Sequence, residues 1–203
     1  MRTKWFLGAF VGVLLLLGRS DGIAEQPGES GAQPNDNAGE AARIIKGFQI
    51  APVPLNLEGK NVALVGLGSY IVNAQGGCND CHTSPPYADG GDPFLGQPKQ
   101  VNAARYLAGG TPFGDPTNPD TPVSRNLTPR ANGLPANLTL EQFIRTMRTG
   151  ADLKHRPPFA PSAENDLLQV MPWPVFQDMS DRDLRAIYEY LRSIPSLPSN
   201  PTP

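Results

Sequence analysis

The chain has 203 residues, with 17 Lys and Arg against 19 Asp and Glu and a formal net charge of -2, enough for one ordinary domain with tails. It contains no run of five like charges, so the concentrated basic face that a nucleic-acid partner requires is excluded. With 23 Pro and 21 Gly, the composition predicts a compact core wrapped in long irregular segments.

Arg2 and Lys4 precede the apolar run from Trp5 to Leu17, and small residues follow as far as Ala24. This is the layout of a secretory signal peptide over residues 1–24, with a run too short for a comfortable membrane span. An uncleaved membrane-associated anchor is the competing reading. Residues 25–59 read as a flexible leader: 25–42 carry no bulky apolar side chain to offset the entropy of ordering, and 43–61 read as an extended, Pro-containing stretch over the domain surface.

The domain proper is expected over residues 60–195. From Val62 the apolar spacing predicts a helix through Val65 and Val72, and Gly66 and Gly68 within it imply close approach of another helix. Residues 83–137, rich in Pro and Gly, accommodate only a short helix over 100–108. The N-x-T sequons at Asn126 and Asn137 carry little weight without a eukaryotic secretory route. Thr139 and Gln142 fit a capping box opening a helix that stops at Gly150, with Phe143, Ile144 and Met147 on one face. The last helix starts at Ser180, with Asp181 and Asp183 in its first turn; Leu184, Ile187, Tyr188 and Leu191 form its apolar stripe, and Pro195 closes it. Tyr188 is expected in the core and Tyr190 at the surface. Residues 196–203 form a C-terminal tail. No strand alternation stands out, so the fold class is all-α.

Both cysteines and one of the two histidines fall within five positions, Cys78 to His82. C-x-x-C-H is the attachment pattern of a c-type haem. The spacing lets two thiols add to the two vinyl groups of one porphyrin while the next imidazole lies under the iron. Cys78 and Cys81 are then thioethers and His82 the proximal ligand. A dithiol redox pair prefers a thioredoxin-like strand and helix context, zinc needs further paired ligands, and a Cys78–Cys81 disulfide would close too small a loop to stabilise much.

The sixth ligand decides the chemistry, since a Met thioether favours reduced iron and electron transfer, while an open position suits oxygen or peroxide chemistry. Candidates are Met147, Met171, Met179 and His155. Met147 sits on an apolar helix face suited to packing, and Met179 directly precedes the last helix. Met171 precedes Pro172 and Pro174, which favour an extended, stiff segment that pre-positions a ligand.

The segments GGCNDCHT, RNLTP, FIRTMRTG and MPWPVFQDMSDRDLRAIYEYLRSIP, in that order, resemble a monohaem class I cytochrome c domain of the bacterial periplasmic kind, and the cytochrome subunits of membrane-bound alcohol and sugar dehydrogenases. The resemblance covers about residues 60–195. It implies a cytochrome c fold whose first and last helices cross, with Gly66 or Gly68 meeting Tyr188 or Leu191, around one covalent haem c. It also implies His82 and Met171 as the iron's axial ligands. Arg125, Arg148 and Trp173 are the candidate donors to haem propionates, which need hydrogen-bond donors when buried. This chain carries one C-x-x-C-H, where the dehydrogenase subunits typically carry several, and an unusually long Pro- and Gly-rich span between His82 and Met171. The expected function is a periplasmic carrier of single electrons in a respiratory chain, not an enzyme. Its expected partners are redox proteins: a dehydrogenase as donor and a terminal oxidase as acceptor. A dehydrogenase or oxidase subunit, and a haem enzyme or gas sensor with a displaceable sixth ligand, are the alternatives.

Overall fold

A computed structural model describes residues 36–153 and 167–200; the expected signal peptide, and His155 with its neighbours, lie outside them. Among the described residues six α-helices carry the fold: α1 Asp36–Ile50, α2 Val62–Tyr70, α3 Cys78–His82, α4 Leu140–Thr149, α5 Trp173–Phe176 and α6 Asp181–Ser193. Among the described residues the β contacts are isolated bridges only. The all-α class expected from the sequence is therefore observed.

The centre is α2, whose sequence is apolar nearly all round and which is accordingly covered on more than one side. Asn61 caps it by accepting from Leu64 N at 3.1 Å. Its two glycines serve two neighbours. A Cβ at Gly68 would overlap the Ala186 carbonyl of α6 and meet Tyr190 Cβ, while one at Gly66 would meet Ile44 and Phe48 of α1. Filling such a backbone contact costs about 1–3 kcal/mol or more. The expected close approach of the first and last domain helices is thus present at Gly68, where the nearest α6 atoms belong to Ala186 and Tyr190 and not to Tyr188 or Leu191.

Helix α1 corrects the reading of residues 36–50 as leader and extended chain. Its Ala-containing sequence tolerates helix, and Ile44 and Phe48, one turn apart, face α2. Ser69 Oγ donates to Gly47 O at 2.7 Å, and Arg182 of α6 grips Glu40 through two bonds of 2.8 and 2.5 Å. Ends of this kind add small amounts; packing of the apolar face is what holds a helix this short.

After α2 the chain continues through one turn of π-helix, Ile71–Gln75, a form that aims side chains differently from an α-helix. Here it places Asn73 among Ser69, Tyr106 and Tyr190: Tyr106 Oη donates to Asn73 Oδ1 at 2.5 Å, and Asn73 Nδ2 reaches Tyr190 Oη at 3.2 Å. Tyr190 is fully buried, against the expectation of a surface position. Its hydroxyl has partners, which is what makes burial affordable for a polar tip.

Helix α4 begins with the expected capping box: Gln142 N donates to Thr139 Oγ1 at 3.2 Å and Thr139 N to Gln142 Oε1 at 2.9 Å. It ends at Gly150, whose φ of 68° is left-handed. Ser180 caps α6, accepting from Asp183 N at 3.1 Å. Phe143 of α4 and Tyr188 of α6 pack with ring centroids 5.5 Å apart, and Tyr188 Oη donates to Leu138 O at 2.9 Å. Of the helix entertained over 100–108, only the 3₁₀ turn Ala103–Arg105 forms. The stretch after Met171 is not extended throughout: α5 is one helical turn, with Pro174 in its first turn, where a missing N–H costs nothing.

Candidate haem site

Helix α3 brings Cys78, Cys81 and His82 to one face, because positions i, i+3 and i+4 are neighbours on a helix. It starts at Gly77, whose φ of 59° suits glycine. All three side chains line a single cavity of about 810 Å³, within the size range of cofactor and ligand pockets. Its apolar wall comes from Ile71 and Val72 of the π turn, Leu127 of the long loop, Phe143 of α4, and Ile187 and Leu191 of α6. Met171 lines the same cavity, as do Met147 and Met179.

His82 Nδ1 lies 2.7 Å from the backbone carbonyl of Arg125. A carbonyl only accepts, so Nδ1 carries the proton and the Nε2 lone pair is left for a metal. Burial lowers the imidazole's pKa, against the raising effect of the Arg125 carbonyl, which keeps the ring neutral and ligand-competent at neutral pH.

Burial pushes Cys78 up to about 12, and burial with the Asp80 carboxylate pushes Cys81 up, whereas exchange-active cysteines need depressed values. No disulfide joins them. Among the described residues no group of three or more His, Cys, Asp or Glu side chains suited to a metal ion comes together, unlike a structural zinc site. Two adjacent thiols, one oriented neutral imidazole and a largely apolar cavity with thioethers on its wall do fit a c-type haem.

The three candidate propionate donors are not together. Arg125 lines the cavity and its guanidinium pairs with Asp152, also on the wall. Arg148 is not on the wall: it donates to Gln177 O at 2.5 Å, Met179 O at 3.0 Å and Asp181 Oδ1 at 2.6 Å, joining α4 to the start of α6. Trp173 is not on it either; its indole covers Gly150, where a Cβ would strike the ring. Arg148 and Trp173 hold the segment that follows Met171 against α4. What side-chain reasoning missed is the Arg125 carbonyl, a backbone group present at every residue and without a sequence signature. The sequon at Asn126 is buried, its amide donating to Leu197 O at 2.9 Å, so it is a structural asparagine.

No family model matches the chain. Among curated proteins it is similar to the cytochrome c subunit of gluconate 2-dehydrogenase from Pantoea cypripedii, 30% identical over 132 residues, 64% of this chain and 23% of that protein. It is also similar to the cytochrome c subunit of the quinone alcohol dehydrogenase from Gluconobacter oxydans, 27% identical over 137 residues, 66% of this chain and 24% of that protein. The chain thus spans about a quarter of the length of the curated relatives it matches. Over the matched residues the chain is similar to the cytochrome c subunits of dehydrogenases.

Proposed function

We propose that the chain is an exported, one-haem c-type cytochrome that passes single electrons in the periplasm, with His82 and Met171 as axial ligands. The observation that carries this reading is the convergence of Cys78, Cys81, His82 and Met171 on one cavity, with His82 committed to the Nδ1–H tautomer. Haem c supplies a one-electron Fe(III)/Fe(II) couple. The chain's contribution is to anchor it through Cys78 and Cys81, to orient His82 through the Arg125 carbonyl, and to present a thioether that favours the reduced state. The apolar wall limits water around the site and so limits reorganisation. Of the three methionines on the wall, Met147 is held in the buried face of α4; Met171 and Met179 stand outside any helix, and the Met179 backbone is held by Arg148.

Export is read from residues 1–24. No helix among the described residues is long and apolar enough to cross a membrane.

The test is the absorption spectrum and mass of the exported protein. A mass increment of one haem, a weak long-wavelength sulfur-to-iron band in the oxidised protein, and loss of that band in Met171→Ala are expected. A wild-type protein that lacks the band or binds carbon monoxide readily would replace the carrier reading by catalysis or gas sensing.

A second reading, overlapping with the first, is the haem subunit of a dehydrogenase complex, favoured by both relatives' names. A dehydrogenase is then the electron donor. The acceptor expected from the sequence, a terminal oxidase, has no support in those names. Co-purification of a dehydrogenase with the tagged chain separates a subunit from a free carrier.

A further inference from the structure

The C-terminal segment 197–200 lies on the outside of the two loop segments that hold His82. The histidine is attached twice: its carbonyl accepts from Gly109 N at 2.7 Å, and its Nδ1–H donates to Arg125 O at 2.7 Å. The segments carrying those partners are tied to each other, Leu127 N to Leu107 O at 2.8 Å and Gly110 N to Ser124 O at 3.0 Å. They also touch so closely that a Cβ on Gly109 would stand 2.5–2.7 Å from Ser124 O, Arg125 C and Asn126 N.

The tail then bonds to both segments. Asn200 donates from its backbone to Ala108 O at 3.1 Å and from its side chain to Gly109 O at 2.6 Å. Leu197 O accepts from Asn126 Nδ2 at 2.9 Å, and Leu197 N donates to Thr128 Oγ1 at 3.1 Å. Asn126 and Thr128 are both buried. Asn126 Oδ1 is in turn occupied by Thr128 N at 2.8 Å and Thr128 Oγ1 at 2.7 Å, so the amide has one orientation. The Arg125 carbonyl and the Asn126 N–H belong to the same peptide plane. Holding Asn126 by its side chain therefore fixes the direction of the oxygen that His82 addresses.

We propose that residues 197–200 and Asn126 form a positioning brace for the proximal histidine, setting the strength of the bond from His82 Nδ1–H to Arg125 O and through it the redox potential. The inference rests on the reading of His82 as an iron ligand. A hydrogen bond from the ring's second nitrogen to a carbonyl raises the basicity of the coordinating one, which favours Fe(III). Loosening the brace weakens that bond and moves the midpoint potential upward.

The test uses the full-length haem-loaded protein with Asn200→Ala, at a half-exposed position that leaves the core intact, and Asn126→Ala, which removes an internal partner. Three readouts are taken: the midpoint potential, the exchange rate of the His82 Nδ1 proton by NMR of the reduced protein, and the long-wavelength band. Expected are a higher potential in both variants, larger in Asn126→Ala, and proton exchange roughly five- to tenfold faster, as for loss of about one hydrogen bond's net stabilisation. The band is expected to be retained because the Met171 side is untouched. Variants that melt earlier but keep the wild-type potential and proton exchange would overturn the brace and leave the tail a packing element. A wild-type protein lacking a c-type spectrum would instead overturn the ligand reading beneath it, so the two failures are distinguishable.

Discussion

The two sides of the cavity are built differently. Around His82, three backbone segments and the C-terminal tail are cross-tied by short hydrogen bonds, and the ligand's own ring takes part. Around Met171 the chain is tied to α4 at two places: Leu168 N donates to Gly150 O at 2.8 Å, and Arg148 holds the carbonyls of Gln177 and Met179. Between those ties Val170 and Val175 are exposed, 41% and 72%. A thioether offers no donor and only a weak acceptor, so its position follows from packing and from the ends of its segment, while an imidazole can be aimed by a hydrogen bond. On the proposed haem reading, the His82 side would be where ligand strength is tuned, and the Met171 side where a ligand could be displaced.

The largest expected effect comes from prying the His82 side apart. Gly109 has φ 73° and no room for a Cβ against the backbone of residues 124–126. Gly109→Ala should cost roughly 1–2 kcal/mol for the left-handed conformation and about 1–3 kcal/mol for overpacking against a backbone that cannot swing away. Denaturant unfolding of the haem-loaded protein should show a clear drop in midpoint, with the potential raised in the surviving folded fraction. An unchanged midpoint would mean that these segments are loosely packed and that the contrast between the two sides is not real.

A smaller effect is expected at the equivalent glycine on the other side. Gly150 has φ 68°, and the atoms nearest to an added Cβ belong to the Trp173 indole, a side chain that can turn. Gly150→Ala should therefore cost only about 1–2 kcal/mol, mainly from backbone strain. By displacing Trp173, which lies two residues beyond Met171, it should weaken the long-wavelength band and admit carbon monoxide, with little change in the exchange of the His82 proton. A variant that loses stability while retaining the band and excluding carbon monoxide would show that Met171 is held independently of Trp173.

How much of this was readable depended on whether side chains or backbone carried the information. Cys78, Cys81 and His82 stand out in the sequence by their C-x-x-C-H spacing, and the structure brings all three to one cavity. Thr139 with Gln142, Ser180 and Gly150 were legible as helix ends because capping is local chemistry, and each is observed in that role. Helix α1 was not legible, since residues 36–43 offer no bulky apolar side chain and the helix depends on Gly47 and Phe48 finding α2. Tyr190 was misplaced because its stripe was read for one neighbour. Helix α6 packs on α2 as well as on α4 and the cavity, and the Tyr190 hydroxyl is accommodated by Asn73, which a π turn brings into range. The Arg125 carbonyl and the Asn126 amide belong to loop backbone packing, where no periodicity exists to be read.

The smallest effect should be seen at α1, none of whose residues lines the cavity, and it serves as the control that isolates the contrast between the two sides. Arg182 holds Glu40 by hydrogen bonds and charge, and lowers its carboxyl below the ordinary value of 4.5. A carboxylate with a lowered folded value binds fewer protons folded than unfolded, so its contribution is fully present above 4.5 and is lost as pH falls through the folded value. Because the pair is largely solvated, that contribution is no more than about 1 kcal/mol. Unfolding measured at low salt for wild type and Glu40→Gln should give a stability difference near neutrality that closes as the medium is acidified below that value, with the long-wavelength band and the His82 proton exchange the same in both. A difference that persists undiminished in acid would show that the effect does not come from the charge of the Glu40–Arg182 pair. A shift in either ligand signature would mean that α1 is coupled to the cavity through α2, and the separation of the two sides from the rest of the fold would have to be given up.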